Sequence, residues 1–504
     1  MAPPRETLPT AVYSAAQVRE LDRIAIEQRG IAGYELMCRA GQAALDVLKA
    51  HWPDAHKLTV FCGAGNNAGD GYVLARLARA AGLSVRVEAV VPPTRLGGDA
   101  RTAWEECRDA GVAIHAFEPQ REDSAAGFVP DVVVDALLGT GLARPVEGRF
   151  AEAVEHVNGA GAPVLALDVP SGLHADTGRV LGTAVRADVT VTFVGLKQGL
   201  FLGDAPDRRG VLEFSDLMLP PDVSAAFEPA LERLNPALLR AALPRRPRSA
   251  HKGDAGRVLL IGGGPGMSGA IRLAAEAALR VGAGLVYVAT HRDSVQTVMS
   301  GRPELMCRAA DSPADLDPLL AAADCIVLGP GLGRTDWARA LWQRVVRHER
   351  PLVVDADGLN LLAGEPFSRR GWLLTPHPAE AARLLGTDTE AVQGDRLGAV
   401  RSIAERYAAT VVLKGAGTLI AAPPGAPSVA VCDYGNPGMA TAGMGDVLSG
   451  VLGGLLGQLR DVPLTARAGT LLHALAGDDA AADGERGTVA GDLMPALRRW
   501  ANPS

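Results

Sequence analysis

The sequence predicts an α/β protein made of two parallel-sheet domains in series. Three observations lead there. Short β-branched runs alternate with longer Ala-, Leu- and Arg-rich segments of helical period on both sides of the chain's middle. The alternation fades between about residues 217 and 250, where PPDVSAAFEPALERLNPALLRAALPRRPRSA concentrates Pro and charge, and it resumes at Arg257. At 504 residues the chain has room for about three domains or two large ones.

In order, LTVFC from Leu58 to Cys62 reads as a strand, Tyr72 to Ala81 as a helix, and Ser84 to Val91 as the next strand. VVVD ending at Asp135, VLAL from Val164 to Leu167, and ADVTVTFVGLKQGL supply the later strands of the first half. The second half places strands at Arg257 to Ile261, Leu285 to Ala289, Cys325 to Leu328, Pro351 to Asp355 and Thr410 to Leu413, with helical stretches after Met439. No period repeats and the two halves share no motif order, so different folds are expected for them. We set the domains at residues 1–222 and 251–504, with 223–250 as a linker leading into the second.

Hydrophobic residues make up 48% of the chain and aromatic residues only 4%, so the cores must be built from Ala, Val and Leu. Fifty Lys and Arg against 57 Asp and Glu give a net charge of -7, without the basic excess of a phosphate-backbone binder, so no nucleic-acid partner is expected. The opening MAPPRETLPTAVYS lacks the apolar core of a signal peptide. The longest apolar runs, such as Gly450 to Leu459, are Gly-rich and too short to span a bilayer, so no membrane association is expected either. Cys38, Cys62, Cys107, Cys307, Cys325 and Cys432 stand far apart with no C-x-x-C pair, which fits a reduced, cytoplasmic location. We expect a homo-oligomer.

Gly63-x-Gly65-x-x-Ala68 and Gly264-x-Gly266-x-x-Gly269 imitate a dinucleotide fingerprint after strand-like runs, but the fuller text does not fit hydride-transfer chemistry. The strand after the second ends in Thr290-His291-Arg292 with no acid for a ribose, and Glu88 falls in mid-strand rather than at a strand's C-terminal end. The first loop, GAGNNAGDG, instead offers Asn66, Asn67 and Asp70 among glycines, where backbone N–H groups and amides can grip a phosphate or a ring amide. A plain glycine-rich turn would use the same residues.

Two further strands deliver an Asp to their C-terminal ends, Asp135 before Ala-Leu-Leu-Gly139-Thr140-Gly141-Leu142, and Asp168 before Val169-Pro170-Ser171-Gly172. In an open parallel sheet that edge binds ligands, so Asn67, Asp135, Asp168 and Ser171 would line one crevice with oxygen donors for a hard cation or for acid/base work. In the second half, Gly443-Met444-Gly445-Asp446 opens a helix. Its N–H groups can hold the oxygens of a phosphoryl group in flight and Asp446 can take a proton from an attacking hydroxyl. The bland alternative is a capping Asp on a Gly-rich turn.

ELMCRAG, NNAGDG, DALLGTGLARPVEG, LALDVPSGLHADTG and ADVTVTFVGLKQGL together resemble the epimerase half of the bifunctional NAD(P)H-hydrate repair enzymes, across nearly all of residues 10 to 220. The resemblance implies a Rossmann-like three-layer domain. It implies substrate contacts at Asn66, Asn67, Ala68, Gly69 and Asp70 in one loop, at Gly139, Thr140, Gly141, Leu142, Ala143, Arg144 and Pro145 in a second, and at Asp168. It also implies potassium ligands at Asn67, Asp135 and Ser171, with Asp168 a catalytic acid and Lys197 its partner. Ala68 stands where NNGGDG has Gly, narrowing a phosphate's approach by one methyl, and His174 stands where Asn or Asp is usual.

RVLLIGGGPGMSGA, GPGLG, DADGLN, TPHPAE, LKGAGT and GNPGMATAGMGDVLSG resemble, from about residue 233 to 500, the ribokinase-like NAD(P)H-hydrate dehydratases. That implies a second three-layer domain with substrate contacts at Ala270, Gly331, His377 and Asp446, the last catalytic. Nucleotide contacts would fall on Lys414, Gly415, Ala416, Gly417, Thr418 and Gly445, with ADP as phosphoryl donor and Mg²⁺ on its phosphates. The implied activity is repair of NAD(P)HX, namely epimerisation of its R and S forms and nucleotide-driven dehydration of the S form. The competing readings are a vitamin or sugar kinase with an accessory dinucleotide-binding domain, and a non-catalytic NAD(P) sensor. Release of inorganic phosphate, rather than of a stable phosphorylated product, separates repair from the kinase.

Overall fold

The β-branched runs of the first half become a seven-stranded, wholly parallel sheet. In the computed structural model, which describes residues 5–119, 128–425 and 428–503, these strands are β1 (Lys57–Cys62), β2 (Ser84–Ala89), β3 (Ala113–Ala116), β4 (Val132–Ala136), β5 (Val164–Leu167), β6 (Val189–Phe193) and β7 (Val211–Ser215). Their order is β3-β2-β1-β4-β5-β6-β7, the doubly wound pattern in which connections leave β1 and β4 in opposite directions. Strands buried on both faces lack apolar–polar alternation, and β4 accordingly reads VVVDA with every residue buried. Leu58, Val60, Val132 and Val134 point to one face, covered by α1 (Ala15–Glu27), α2 (Gly33–His51), α3 (Asn66–Ala80) and α4 (Gly98–Asp109). Phe61 and Val133 point to the other, covered by α5 (Arg149–Gly159). β3 and β7 were not foreseen; AIHA in β3 is half exposed at the sheet's edge and carries no apolar run.

The chain divides into two compact units between Glu232 and Arg233, inside the stretch expected as a linker. Much of that stretch is not loose. Leu231 and Glu232 pair antiparallel with Val12 and Ala11, while Leu239, on a helix at Ala237–Ala242, is fully buried in the second unit's core. Its Pro and Arg residues between 244 and 250 remain exposed or half-buried outside regular structure. The charge from Arg245 to Arg248 lies on the surface, whereas Arg233 is fully buried and pairs with Asp433 Oδ2 at 3.0 Å, and the intervening apolar residues fold in.

The second unit holds β8 (Arg257–Ile261), β9 (Leu285–Thr290), β10 (Met306–Ala309), β11 (Cys325–Leu328), β12 (Leu352–Val354), β13 (Trp372–Leu374), β14 (Thr410–Leu413), β15 (Thr418–Ala421) and β16 (Ala430–Cys432). Their order is β10-β9-β8-β11-β12-β13-β14-β15-β16, parallel through β14 and antiparallel beyond it. One face is covered by α6 (Ser268–Arg280), α9 (Met444–Leu459), α10 (Val462–Ala480) and α11 (Leu493–Trp500). Two further helices, α7 (Pro378–Leu385) and α8 (Arg396–Tyr407), follow β13. α6 and α9 approach closely because α9 is Gly-rich. A Cβ at Gly450 would stand 1.9 Å from the Ala274 carbonyl oxygen. Among the described residues no helix is long and apolar enough to cross a membrane, and all six cysteines are free.

Candidate active sites

In the first unit the topological switch between β1 and β4 opens a cleft of about 560 Å³ at the C-terminal strand ends. The turn after β1 starts α3 at Gly65, where no side chain caps the helix. Asn66 to Asp70 therefore opens α3 and is not the loop expected, and Gly65, Asn66, Asn67 and Asp70 line the cleft at the positive end of the helix. The residues after β4 close over it. A Cβ at Gly139 would lie 3.4 Å from Asn67 Cβ and 3.7 Å from Asp168 Oδ2.

Asp168 follows β5 with φ +67°, its N–H held by the Val191 carbonyl at 2.7 Å. Val194 also has φ +67°, unusual for a β-branched residue, and the two strained positions flank Lys197. The Lys197 ammonium, 1% exposed, donates to Asp168 Oδ1, to Thr192 Oγ1 at 3.1 Å and to the Phe193 carbonyl at 2.7 Å. Its three donors are then all engaged. Burial pushes the Asp70 carboxyl well up, and the charges of Asp168 and Asp22 add to the shift.

Asp135 and Ser171, expected to line the same crevice, are not in its lining, because both are buried, Asp135 at 0% and Ser171 at 1% exposure. Asp135 accepts from the Leu137 N–H at 3.1 Å, the Ser171 N–H at 2.8 Å and the Ser171 hydroxyl at 2.6 Å, and burial pushes it up to about 6 despite them. Asn67 is 8% exposed, yet neither its Oδ1 nor its Nδ2 has a hydrogen-bond partner among the described residues. Orphaned buried amides are rare. An unsatisfied buried amide oxygen and a buried carboxylate met only by neutral donors are the kinds of oxygen donor that suit a monovalent cation.

The second unit gathers its motifs at the same kind of edge. Its switch lies between β8 and β11, where the Gly263 N–H donates to Pro330 O at 3.0 Å and the Gly264 N–H to Gly331 O at 2.7 Å. Gly331 has φ +59°, and a Cβ there would meet Ala270 Cβ at 3.1 Å, so these two expected contacts adjoin. Asp355, after β12, is 1% exposed and pairs with Lys414 Nζ at 2.9 Å, while the Ser449 hydroxyl donates to its other oxygen at 2.6 Å. Burial alone would raise Asp355, but Lys414 and the Ser449 hydrogen bond outweigh it and hold the carboxyl below its usual range. Burial pulls Lys414 down, yet Asp355 and Glu380 more than offset it.

α9 starts at Gly443 with φ +89° and no side-chain cap, leaving its first N–H groups open. Gly445 rides over the buried pair, since a Cβ there would lie 3.4 Å from Lys414 Nζ and 3.7 Å from Asp355 Oδ2. Asp446 follows in the first helical turn. Burial pushes its carboxyl up to about 6, Asp355 adds to the rise and Lys414 opposes it. His473 braces this turn with Nε2 3.1 Å from the Met444 carbonyl. Burial holds His473 down at about 4, so the ring is neutral and donates there.

A family model described as NAD(P)H-hydrate dehydratase matches residues 258–499, and one described as YjeF-related protein N-terminus matches residues 33–199. The chain is 49% identical over 496 residues to the bifunctional NAD(P)H-hydrate repair enzyme of Coxiella burnetii, covering 98% of this chain and 100% of that protein. It is 44% identical over 499 residues to the Escherichia coli enzyme of the same name, covering 99% and 95%. The chain belongs to the bifunctional NAD(P)H-hydrate repair enzymes. A ribokinase-like superfamily protein of Enterococcus faecalis matches 53% of this chain and 94% of its own at TM-score 0.50 and 30% identity.

Against that family's motifs, the structure brings Asn66, Asn67, Asp70, Gly139 to Arg144, Asp168 and Lys197 to one cleft. Three expected contacts are placed elsewhere. Ala68 is fully buried in the helix-side core, so its methyl does not narrow the approach of a phosphate as expected. A Cβ at Gly69 would meet Met37 Sδ at 2.5 Å, so this glycine serves the packing of α2 on α3, and Pro145 is exposed outside the cleft lining. His174 supplies Nδ1 as acceptor to the N–H groups of Asp176 at 3.2 Å and Thr177 at 3.3 Å, the turn role of the Asn or Asp it replaces.

His377 caps α7, accepting at Nδ1 from the Ala379 N–H at 3.1 Å, with its Nε2 facing Glu380 Oε1 at 3.5 Å. Burial, then Lys414 and Arg383, hold the imidazole below its ordinary value. Gly415 to Gly417 make the turn between β14 and β15, closed by the Thr418 hydroxyl donating to Gly415 O at 2.8 Å. Arg396, buried under this turn, donates to the carbonyls of Leu413 and Lys414 at 3.3 Å each. Sequence reasoning missed Asp355, although DADGLN shows the strand-delivered Asp that had singled out Asp135 and Asp168. It also missed Glu380 and Ser449, although TPHPAE and GNPGMATAGMGDVLSG contain them, and Arg396, which no local pattern marks.

Proposed function

We propose that the second unit dehydrates the S form of NAD(P)HX at the expense of a nucleotide and that the first unit interconverts the R and S forms. The observation that carries the reading is Asp446 in the open first turn of α9 above the Asp355–Lys414 pair. The ring hydroxyl of the substrate lies against Asp446, which accepts its proton as the oxygen attacks the terminal phosphoryl group. The N–H groups of the turn at Gly443 to Gly445 hold the phosphoryl oxygens. Phosphate then leaves, pushed out by the ring nitrogen, and the dihydronicotinamide is restored. Hydroxide is a poor leaving group and phosphate a good one, which is why a ribokinase-like site can serve a dehydration.

We take ADP as the donor, yielding AMP and phosphate, with its base beside the Gly415 to Gly417 turn. Mg²⁺ supplies neutralisation of the nucleotide's phosphate charge. In the first unit Asn67 Oδ1, Asp135 and Ser171 would hold K⁺, which supplies a positive charge against the buried carboxylate. Asp168 acts on the hydrated ring with Lys197 as its partner. We read the protein as a cytoplasmic homo-oligomer. The test supplies S-NADHX with ADP and follows recovery of dihydronicotinamide absorbance together with release of inorganic phosphate. A stable phosphorylated product in place of both would make the second unit a kinase.

A further inference from the structure

The cleft of the first unit contains a carboxyl that none of its motifs supplies. Asp22 lies in mid-helix on α1, ahead of residue 33 where the family model's match begins. Val18, Arg19, Asp22 and Ile26 form the face of α1 that lines the cleft with Asn67, Asp70, Asp168 and Lys197. The helix is fixed in place. A capping box of Ser14 and Gln17 starts it, and the Ala15 N–H donates at 2.7 Å to Asp176, which also accepts from the Gln198 amide at 3.3 Å. That contact ties α1 to the residue following Lys197.

Asp22 does nothing structural that is visible. Among the described residues its carboxyl accepts no hydrogen bond and enters no ion pair. Asp is also a poor choice for a helix interior, where it neither caps nor packs. A partly desolvated acid without a partner is a local fault that folds retain at functional sites. The charges facing it are Lys197, Asp168 and Asp70, with Arg19, Asp99 and Arg144 also on the cleft wall. Burial pushes Asp22 up to about 6, with Lys197 opposing and Asp168 adding.

Resting on the reading of this cleft as an epimerase site, the chemistry asks for such a group. At the ring carbon bearing the hydroxyl, the oxygen takes up a proton, the C–O bond breaks with its electron pair leaving as water, and the nitrogen lone pair closes a C=N bond. Water then adds to the other face, the C=N pair returns to nitrogen, and the new oxygen gives up a proton. One proton is delivered and one removed, with no change of oxidation state. Lys197 has no N–H to spare, since its three donors are engaged by Asp168, Thr192 and Phe193. We propose that Asp22 is a further catalytic residue of this cleft, the carboxyl that works with Asp168 in moving those two protons.

The test uses the full-length protein and purified R epimer, with chromatographic separation of the two epimers over time. Asp22→Asn is expected to lower kcat for epimerisation by about 10²- to 10³-fold. KM should stay within about threefold, dehydration of the S epimer should be unchanged, and an inflection expected of wild type near pH 6 should be absent. Asp22→Glu should recover part of the lost rate. An Asp22→Asn variant with kcat within about threefold of wild type and the same pH profile would overturn the proposal and leave the epimerase reading standing, as would a rise in KM alone. A wild-type chain that leaves both epimers as supplied would overturn the reading and the residue's role together.

Discussion

Replacing Asp446 by Asn should destroy dehydration and at the same time stabilise the second unit, and the second effect can be worked from the structure. Burial, and then the neighbouring Asp355, pushes the Asp446 carboxyl up from its ordinary 3.8 to about 6 in the folded protein. A raised folded pKa means that the protonated acid is preferred by the fold. The stability it lends is full below pH 4, falls away as pH rises through 6, and is absent above that. The upward shift corresponds to a charge cost on the order of 3 kcal/mol at pH 8. Asn keeps the size and removes the charge, so the second unit's melting transition at pH 8 should rise, by up to about 10 °C if the whole cost is recovered. At pH 4 the gain should nearly vanish. Turnover of S-NADHX with saturating nucleotide should fall by about 10²- to 10⁴-fold, and wild-type turnover should decline below pH 6 as the base is protonated. Calorimetry at both pH values and a turnover assay check this. Equal melting shifts at pH 4 and pH 8, or turnover near wild type, would refute the assignment of Asp446 as a strained, ionised base.

Asp168→Ala should abolish epimerisation while dehydration of the S epimer continues, as read by chromatography of the two epimers; unchanged equilibration would remove Asp168 from the reaction. Potassium should support epimerisation and raise the first unit's melting temperature better than lithium, because Asn67 Oδ1, Asp135 and Ser171 offer oxygens that suit a large ion, and Asn67→Ala should erase the difference. ADP freed of ATP should drive faster recovery of dihydronicotinamide absorbance than ATP freed of ADP; the reverse order would replace the donor without touching the repair reaction. Gly450→Ala places a methyl 1.9 Å from the Ala274 carbonyl oxygen, and the α6–α9 contact should lose about 1–3 kcal/mol by overpacking, measured by denaturant unfolding of the second unit.

What could be read from the sequence follows from how local each cause is. Central parallel strands are buried on both faces, so VVVD, VLAL, RVLLI and CIVL announce themselves as apolar runs, and an Asp at such a strand's end lies at the ligand edge by topology alone. Edge strands carry no such run. AIHA and MCRA join the sheets through hydrogen bonds to β2 and β9 that their own residues do not foretell. The sites divide in the same way. Asp135, Asp168 and Asp446 are legible because a strand end or a helix start is a local event. Asp355 is legible by the same rule, since the strand Leu352–Val354 delivers it at the head of DADGLN. Asp22 and Arg396 sit in helices whose text reads as ordinary amphipathic surface, and Glu380 sits in TPHPAE behind a histidine that draws the reading to itself. They become functional candidates only when α1 reaches the cleft through Ser14 and Asp176, when α7 starts at His377, and when α8 runs beneath the turn at Gly415. The linker was misjudged for the converse reason. Its Pro and Arg residues from Pro244 to Arg248 lie on the surface as composition suggests, but Leu231, Arg233 and Leu239 are buried by strands and helices distant in sequence, and burial of that kind has no local signature.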